Sequence, residues 1–270
     1  MTIPAVFLLY TLTSLGFIAY LFIRTKTLLG ALRLLYGLCV AAHGFSFITL
    51  WRASGQLPVS TPPEGLNMLV LFSALAFIPF VYRKRTAILA AFFLPAASIV
   101  LAFIAAGLQV GSEVLSGPHR AWYVLHTVSV IAGEAFLVVA AIAAIAFLIH
   151  ERIIQKGFLH LRLSHLPPLT LLDRILSGSL AMGFSAITAG MILGGLWASA
   201  VGVAFSSIAP KVLAGSVLWL VFGLSLHQRF AIGWKGRRTA IITLIGFTLM
   251  VMLFLVINTV FPESHGVRLI

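Results

Sequence analysis

Long uncharged apolar runs alternate with short basic segments along the chain. An α-helix needs about 20 apolar residues to cross the roughly 30 Å of hydrocarbon in a bilayer. Eight runs approach or exceed that length, at residues 4–23, 34–51, 66–82, 86–109, 121–149, 175–198, 212–228 and 239–261. They lack the apolar–polar alternation of transmembrane barrel strands. The pattern predicts an all-α, polytopic integral membrane protein with about eight transmembrane helices, forming a single transmembrane domain over residues 1–270.

The first and fifth runs differ from the others. Residues 4–23 lack the charged start and short apolar core of a signal peptide, so they are predicted to form the first span. Residues 121–149 are long for one span and contain Glu134, so this helix is expected to project beyond the bilayer. An acid inside an apolar helix indicates a functional group by default. Pairing with a polar group of another span, or a kink at this position, remain open.

Composition narrows the class of protein further. The chain is 61% hydrophobic and only 9% charged, with a mean hydropathy of +1.11, whereas soluble domains carry about 25% charged residues. Its net charge of +12 would indicate nucleic-acid binding in a soluble protein. Here the basic residues occupy short loops without interleaved aromatic residues, so no nucleic-acid partner is expected. The single cysteine, Cys39, excludes an internal disulfide, a CxxC redox pair and covalent attachment of a c-type haem.

The basic residues predict the orientation in the membrane. Fourteen of the 18 Lys and Arg residues fall in one set of loops, and the opposite set holds only Arg52, Arg120, Lys211 and Arg268. Cytoplasmic loops carry the excess of Lys and Arg in membrane proteins. Both termini are therefore expected on the outer side, in a multi-pass protein of the bacterial cytoplasmic (inner) membrane.

Four of the eight histidines form a distinctive set. His43 and His227 lie within apolar runs, whereas His126 and His265 lie at the predicted outer face. Two imidazoles at each of two depths suggest two bis-histidine sites of the kind that haem iron accepts. The alternative is that His43 and His227 only form hydrogen bonds between helices. The remaining histidines are expected to be solvated or at lipid headgroups: His119, His150, His160 and His165.

The depths of the two intramembrane histidines differ. His227 lies roughly 24 Å along its helix from the outer end at Lys211, and His43 only about 12 Å from the outer end of its own helix. A haem shared by the two would need a tilted helix, a shifted span boundary or an upright orientation between them.

Small residues and acids suggest few further sites. Gly183, Gly190 and Gly194 form a stripe on the sixth run, and Ser129 and Gly133 follow His126 at helical spacing, which permits close approach of a helix or a flat macrocycle. Asp173 is predicted to be a helix N-cap. No HExxH, GxSxG, P-loop or GxGxxG motif occurs, which weighs against an enzyme.

Two stretches resemble the cytochrome c assembly family, which includes the haem-handling CcsA/ResC and CcmC proteins and their HemX-like relatives. The family has an intramembrane His, an Arg/Trp turn and a motif of the form SGHxPxSNxYE. The positions that match without a gap are His43, Trp51, Ser54, Gly55, Pro58, Ser60 and Glu64. The His, Asn and Tyr of the motif are replaced by Gln56, Thr61 and Pro63.

The second matching stretch is the family's GxxxGxxWA segment, outer PKE loop and LHxR span end. The positions that keep it are Gly190, Gly194, Trp197, Ala198, Pro210, Lys211, Trp219, Leu226, His227 and Arg229. The following GWKGRR resembles the family's GWxGxK/R segment. The outer loop departs from the family, since its tryptophans, its WD pair and its last Glu fall on Gly202, Ser206, Ile208, Ala209 and Val212. Without that aromatic platform, the chain is most similar to the HemX-like branch.

The resemblance implies a haem-binding integral membrane protein of cytochrome c biogenesis. His126 and His265 correspond to the family's outer haem ligands, and His43 and His227 would bind or pass non-covalent haem b within the bilayer. Expected partners are haem, the lipid bilayer and other cytochrome c assembly membrane proteins. Two alternatives remain: a HemX-like scaffold or regulator of haem synthesis without haem transport, and a small-molecule or ion transporter that uses Glu134.

Overall fold

All regular secondary structure in the described part of the chain is helical. The computed structural model describes residues 2–59, 61–107, 120–157 and 166–260. Its elements are α1 (Ile3–Tyr20), α2 (Lys26–Ser54), α3 (Pro62–Tyr82), a short 3-10 turn (Ala87–Leu89), α4 (Ala90–Gly107), α5 (Arg120–Gln155), α6 (Leu169–Val201), α7 (Phe205–Phe230) and α8 (Arg237–Val260).

Eight described helical segments are long and apolar enough to cross a membrane, which confirms the predicted number of spans. Several helices extend beyond the apolar runs. α5 has 36 residues, or about 54 Å at 1.5 Å per residue, and exceeds the hydrocarbon thickness as expected. α2 begins at Lys26, where the Thr25 side chain accepts the amide of Leu28 at 3.1 Å. A charge marks where hydrocarbon ends, whereas a helix continues into the headgroups until a cap stops it.

The largest core is formed by α1, α2, α3 and α4 together with residues of α5, α6 and α8. Its fully buried side chains include Tyr10, Tyr36, Phe77 and Leu94. The rings of Phe77 and Phe93 stack at a centroid distance of 4.4 Å. The Tyr36 hydroxyl donates to the backbone carbonyl of Ala74 at 2.7 Å, tying α2 to α3. The polar hydroxyl of this buried tyrosine therefore has a hydrogen-bond partner within the bundle, which lipid could not provide.

The predicted glycine stripe packs helix against helix. A methyl group on Gly133 of α5 would lie 2.9 Å from the carbonyl oxygen of Gly183 in α6. One on Gly190 would lie 2.6 Å from the Val130 side chain. Only glycine permits this approach of the two backbones. The stripe at these positions is therefore occupied by α5 rather than by a macrocycle.

Helices α7 and α8 are peripheral. Only 11% of the apolar window of α7 and 22% of that of α8 is buried, against 67% for α5. α7 packs mainly on α8 and α6, and α2 mainly on α1 and α3. α7 also begins earlier than predicted, so much of the predicted outer loop at 199–211 is helical and Pro210 lies inside α7.

Candidate functional site

His126 lies near the N-terminal end of α5, which is predicted to face outward, and is half-buried against α6. Its Nδ1 is 2.7 Å from the backbone carbonyl oxygen of Gly190. Because a carbonyl oxygen only accepts, Nδ1 carries the proton and Nε2 keeps its lone pair. Metal-binding histidines commonly donate their other ring nitrogen to a backbone carbonyl in this way. The arrangement fits an axial ligand that is fixed in tautomer and orientation.

Gly194 provides the space for the His126 ring. A methyl group at this position would lie 2.6 Å from Nδ1 and 2.7 Å from Cε1 of His126. Such contacts are far shorter than normal van der Waals distances, so any larger residue would displace the ring. The glycine of the second family-like stretch therefore positions the histidine. The neighbouring Gly195 meets no atom within 4 Å.

An aromatic pair stands beside His126. The rings of Tyr123 in α5 and Trp197 in α6 lie 5.3 Å apart at an interplanar angle of 58°. Both residues are three positions from the contact just described, Tyr123 before His126 and Trp197 after Gly194, so they lie about one helical turn away. The pairing of Tyr123 with Trp197 was not predicted from the sequence.

Positive charge surrounds the same end of the bundle. The Arg120 guanidinium donates to the carbonyl oxygen of Gly55 at 3.1 Å, which joins the start of α5 to the end of α2. Lys211 of α7 acts electrostatically on the His126 ring. Cations beside an apolar, aromatic surface suit a planar ligand with carboxylate groups.

His43 occupies a different environment, fully buried in α2. Its Nε2 is 3.0 Å from the Asn67 side-chain oxygen, and its Nδ1 is 3.0 Å from the Tyr10 hydroxyl. The amide oxygen accepts, so Nε2 carries the proton and Nδ1 accepts from Tyr10. Neither nitrogen has a free lone pair, and His43 does not fit an axial ligand in this arrangement. The geometry matches the alternative of hydrogen bonds between helices.

His227 and His265 complete the predicted set. His227 lies in the last turn of α7 with an exposed side chain, and this side chain forms no hydrogen bond with the described residues. Since α2 and α7 have different main packing partners, the enclosed His43 and the exposed His227 are not gathered into one pocket. His265 lies outside the described residues, as do His119, His160 and His165.

Several predictions about other polar residues need correction. His150 is buried rather than solvated, because α5 continues past it and its Nδ1 donates to the Pro167 carbonyl at 2.9 Å. Asp173 is not an N-cap, a position that Pro168 occupies. Glu134 forms no hydrogen bond or ion pair with the described residues, and α5 passes through it without a break. The Glu134 side chain therefore has no pairing partner among the described residues, and its functional role stays a prediction.

The first family-like stretch forms the turn between α2 and α3. Gly55 ends α2 with a positive φ of 69°, which glycine adopts without strain. The Ser54 hydroxyl donates to the carbonyl oxygen of Gln56 at 2.8 Å. Thr61 and Glu64 form a capping box at the start of α3, and the Glu64 carboxylate accepts the Thr61 amide at 3.0 Å. These motif residues therefore shape the α2–α3 turn beside Arg120, which is predicted to face outward.

Residues of the second family-like stretch, near the C-terminal end of α7, bind to α6. The Asp173 carboxylate of α6 accepts hydrogen bonds from both terminal nitrogens of Arg229, at 2.9 and 2.7 Å. It also accepts one from the Gly236 amide at 2.8 Å. Trp219 donates to the Thr188 hydroxyl at 2.9 Å. The arginine of LHQR and the second glycine of GWKGRR thus hold α7 and the α7–α8 turn onto α6.

A model of the cytochrome c assembly protein family matches residues 62–265, about three quarters of the chain. The chain belongs to this family. The matched range contains His126, His227 and His265, whereas Tyr10 and His43 lie before its first residue.

Curated relatives support the assignment. They include the cytochrome c biogenesis protein CcsA of Synechococcus sp. (strain CC9902), 24% identical with 94% of this chain and 95% of the relative covered. CcsA of Prochlorococcus marinus (strain MIT 9303) is 26% identical, covering 80% of this chain and 77% of the relative. CcsA of Chlamydomonas reinhardtii is 26% identical, covering 80% and 62%. The HemX-like branch and the bacterial inner membrane stay predictions for this family member.

Proposed function

We propose that this family member handles haem in cytochrome c biogenesis, holding it non-covalently at the outer face of the membrane. His126 and His265 would each supply one histidine ligand to its iron. The observation that carries the proposal is the bond from His126 Nδ1 to the Gly190 carbonyl, which leaves Nε2 available to iron. The relatives named cytochrome c biogenesis protein CcsA support a role in cytochrome c biogenesis.

The surrounding residues have distinct tasks in this proposal. Gly194 admits the imidazole between α5 and α6, and the Gly190 carbonyl sets its tautomer. Tyr123 and Trp197 offer an aromatic surface in place of the tryptophans that the outer loop lacks. Arg120 and Lys211 supply the positive charge that propionate groups need. Bound haem with both axial positions filled by histidine suits holding or relaying rather than oxygen chemistry.

His43 and His227 would bind haem in this proposal only under further conditions. His43 would become a ligand only if Tyr10 or Asn67 released one of its ring nitrogens. His227 is exposed at the surface of α7, so a haem bound there would lie outside the described bundle, against lipid or another protein. The relay of haem from the membrane interior to His126 therefore requires rearrangement at His43.

The proposal is tested by the absorption spectrum of protein purified from haem-replete cells. We expect a low-spin Soret band in the wild type, loss of most of it in His126→Ala, and partial return with added imidazole. His150→Ala is the matched control, because His150 lies on the same helix and also donates Nδ1 to a backbone carbonyl. This control should keep its haem.

Two outcomes would overturn the proposal. One is a wild-type protein without a Soret band that gains no haem on reconstitution. The other is an unchanged spectrum in folded His126→Ala. Intact cytochrome c assembly in a haem-free variant lacking all four predicted ligands would instead favour the scaffold alternative.

A further inference from the structure

Two cavities border a basic turn between α3 and α4. The first has a volume of about 420 Å³. Its polar and charged lining comes from Tyr20, Arg24, Lys84 and Arg85. The remainder is Ile88 and the segment 166–168 that leads into α6. Cationic groups and apolar walls therefore share one pocket at the end of the bundle predicted to be cytoplasmic.

The second cavity has a volume of about 330 Å³ and is lined by the same turn. Phe80, Leu171 and Ile175 form its apolar wall. Arg83, Lys84, Arg85 and Thr86 form its polar end. Because Lys84 and Arg85 line both cavities, a ligand with a charged head and an apolar tail can span the turn.

The three cations of the turn lack counter-charges among the described residues. Arg83, Lys84 and Arg85 are exposed, and their side chains form no hydrogen bond or ion pair there. Adjacent like charges repel, so an anion at this point is favourable.

The four acidic residues that the structure describes all lie away from this turn. Of its six acids, Asp173 pairs with Arg229 and Glu151 with Arg237. Glu64 caps the opposite end of α3, and Glu134 lies in the middle of α5. The remaining two, at 113 and 263, are outside the described residues. The counter-anion for this turn is therefore expected from outside the described chain.

We propose that this turn binds one anionic phospholipid, independently of haem. The phosphate group lies in the first cavity against Lys84 and Arg85, and an acyl chain lies along Phe80, Leu171 and Ile175 in the second. Basic pockets between transmembrane helices on the cytoplasmic side suit anionic headgroups. The apolar wall favours a lipid over a free phosphate, which has nothing to bury there.

The test measures lipid retention by native mass spectrometry of the full chain in detergent. We expect phosphatidylglycerol to be retained in preference to phosphatidylcholine. Lys84→Gln/Arg85→Gln should weaken phosphatidylglycerol binding about thirtyfold, since each basic group near an anionic lipid contributes about fivefold. The control Arg152→Gln/Lys156→Gln removes two exposed charges of the same predicted membrane face that line neither cavity, and should leave binding unchanged.

A second variant separates a lipid from a free phosphate. Leu171→Trp fills the apolar cavity and leaves the cations in place. It should weaken phosphatidylglycerol binding about tenfold, equivalent to losing the burial of about two methylene groups, without changing the weak binding of glycerol phosphate.

Three results would overturn the proposal. They are equal retention of the two lipids, equal losses in the test and control pairs, and glycerol phosphate binding as tight as that of phosphatidylglycerol. If the double variant does not fold, the wild type decides, because its preference for phosphatidylglycerol must fall steeply with salt.

Discussion

His126 and His43 are both imidazoles within a helical membrane bundle, yet their surroundings prepare them for opposite tasks. His126 donates one nitrogen to a backbone carbonyl and leaves the other open. His43 has both nitrogens engaged, by Tyr10 of α1 and Asn67 of α3. The backbone carbonyl occupies only one ring nitrogen of His126, whereas two side chains occupy both ring nitrogens of His43. The difference separates a histidine available to a ligand from one that joins three helices.

The largest effect is expected when His43 is removed. His43→Ala leaves the Tyr10 hydroxyl and the Asn67 oxygen buried without their partner, which should lower the free energy of unfolding by about 2–4 kcal/mol. The measurement is thermal or denaturant unfolding in detergent. His227→Ala, at an exposed position without a hydrogen bond in the described structure, is the control and should change stability by less than about 0.5 kcal/mol.

The haem content of the same variant sharpens the comparison. If His43 joins helices, folded His43→Ala keeps the Soret band that His126 supports. A stable His43→Ala protein without that band would show that His43 is a ligand and that the contrast drawn here is wrong.

A smaller effect is expected at the glycine beneath His126. Gly194→Ala places a methyl group against the imidazole, which should turn the ring from the Gly190 carbonyl and weaken haem binding about tenfold, or about 1.4 kcal/mol. Haem titration of the apoprotein measures this. Gly195→Ala adds the same methyl group in open space and should bind like the wild type. Equal behaviour of the two variants would remove Gly194 from the site.

The smallest effect is expected at Tyr10. Tyr10→Phe removes one hydrogen bond to His43 and frees Nδ1, at a cost of about 1 kcal/mol in unfolding free energy. The outer site should keep its haem affinity. Tyr20→Phe on the same helix, where the hydroxyl has no hydrogen bond in the described structure, should show no loss. A change in haem affinity without a change in stability would contradict the separation of the two regions.

The sequence predicted the membrane class, the eight spans and the family, and each is confirmed. It failed where a partner comes from a distant segment. His150 was expected to be solvated or at lipid headgroups, but it is buried with the carbonyl of Pro167 as its partner. Asp173 was assigned as a cap because of its place near a helix start, whereas Arg229 binds it from 56 positions away.

The candidate site shows the same division. His126, Gly190, Gly194 and Trp197 were singled out by spacing, but their convergence was not foreseen. Tyr123 had no signal beyond lying one turn before His126. The orientation of the termini, which rests on the distribution of basic residues, stays a prediction, as does the ligand role of His265.

Length and apolarity by themselves determined the spans of this protein, because a helix satisfies its own backbone and hydrocarbon demands only that its side chains be apolar. The availability of each histidine was decided only by tertiary structure. A lone pair is free or engaged according to groups that chain folding brings to within 3 Å, from 24 residues away for Asn67 and 64 for Gly190. Neither separation leaves a local trace in the sequence around His43 or His126.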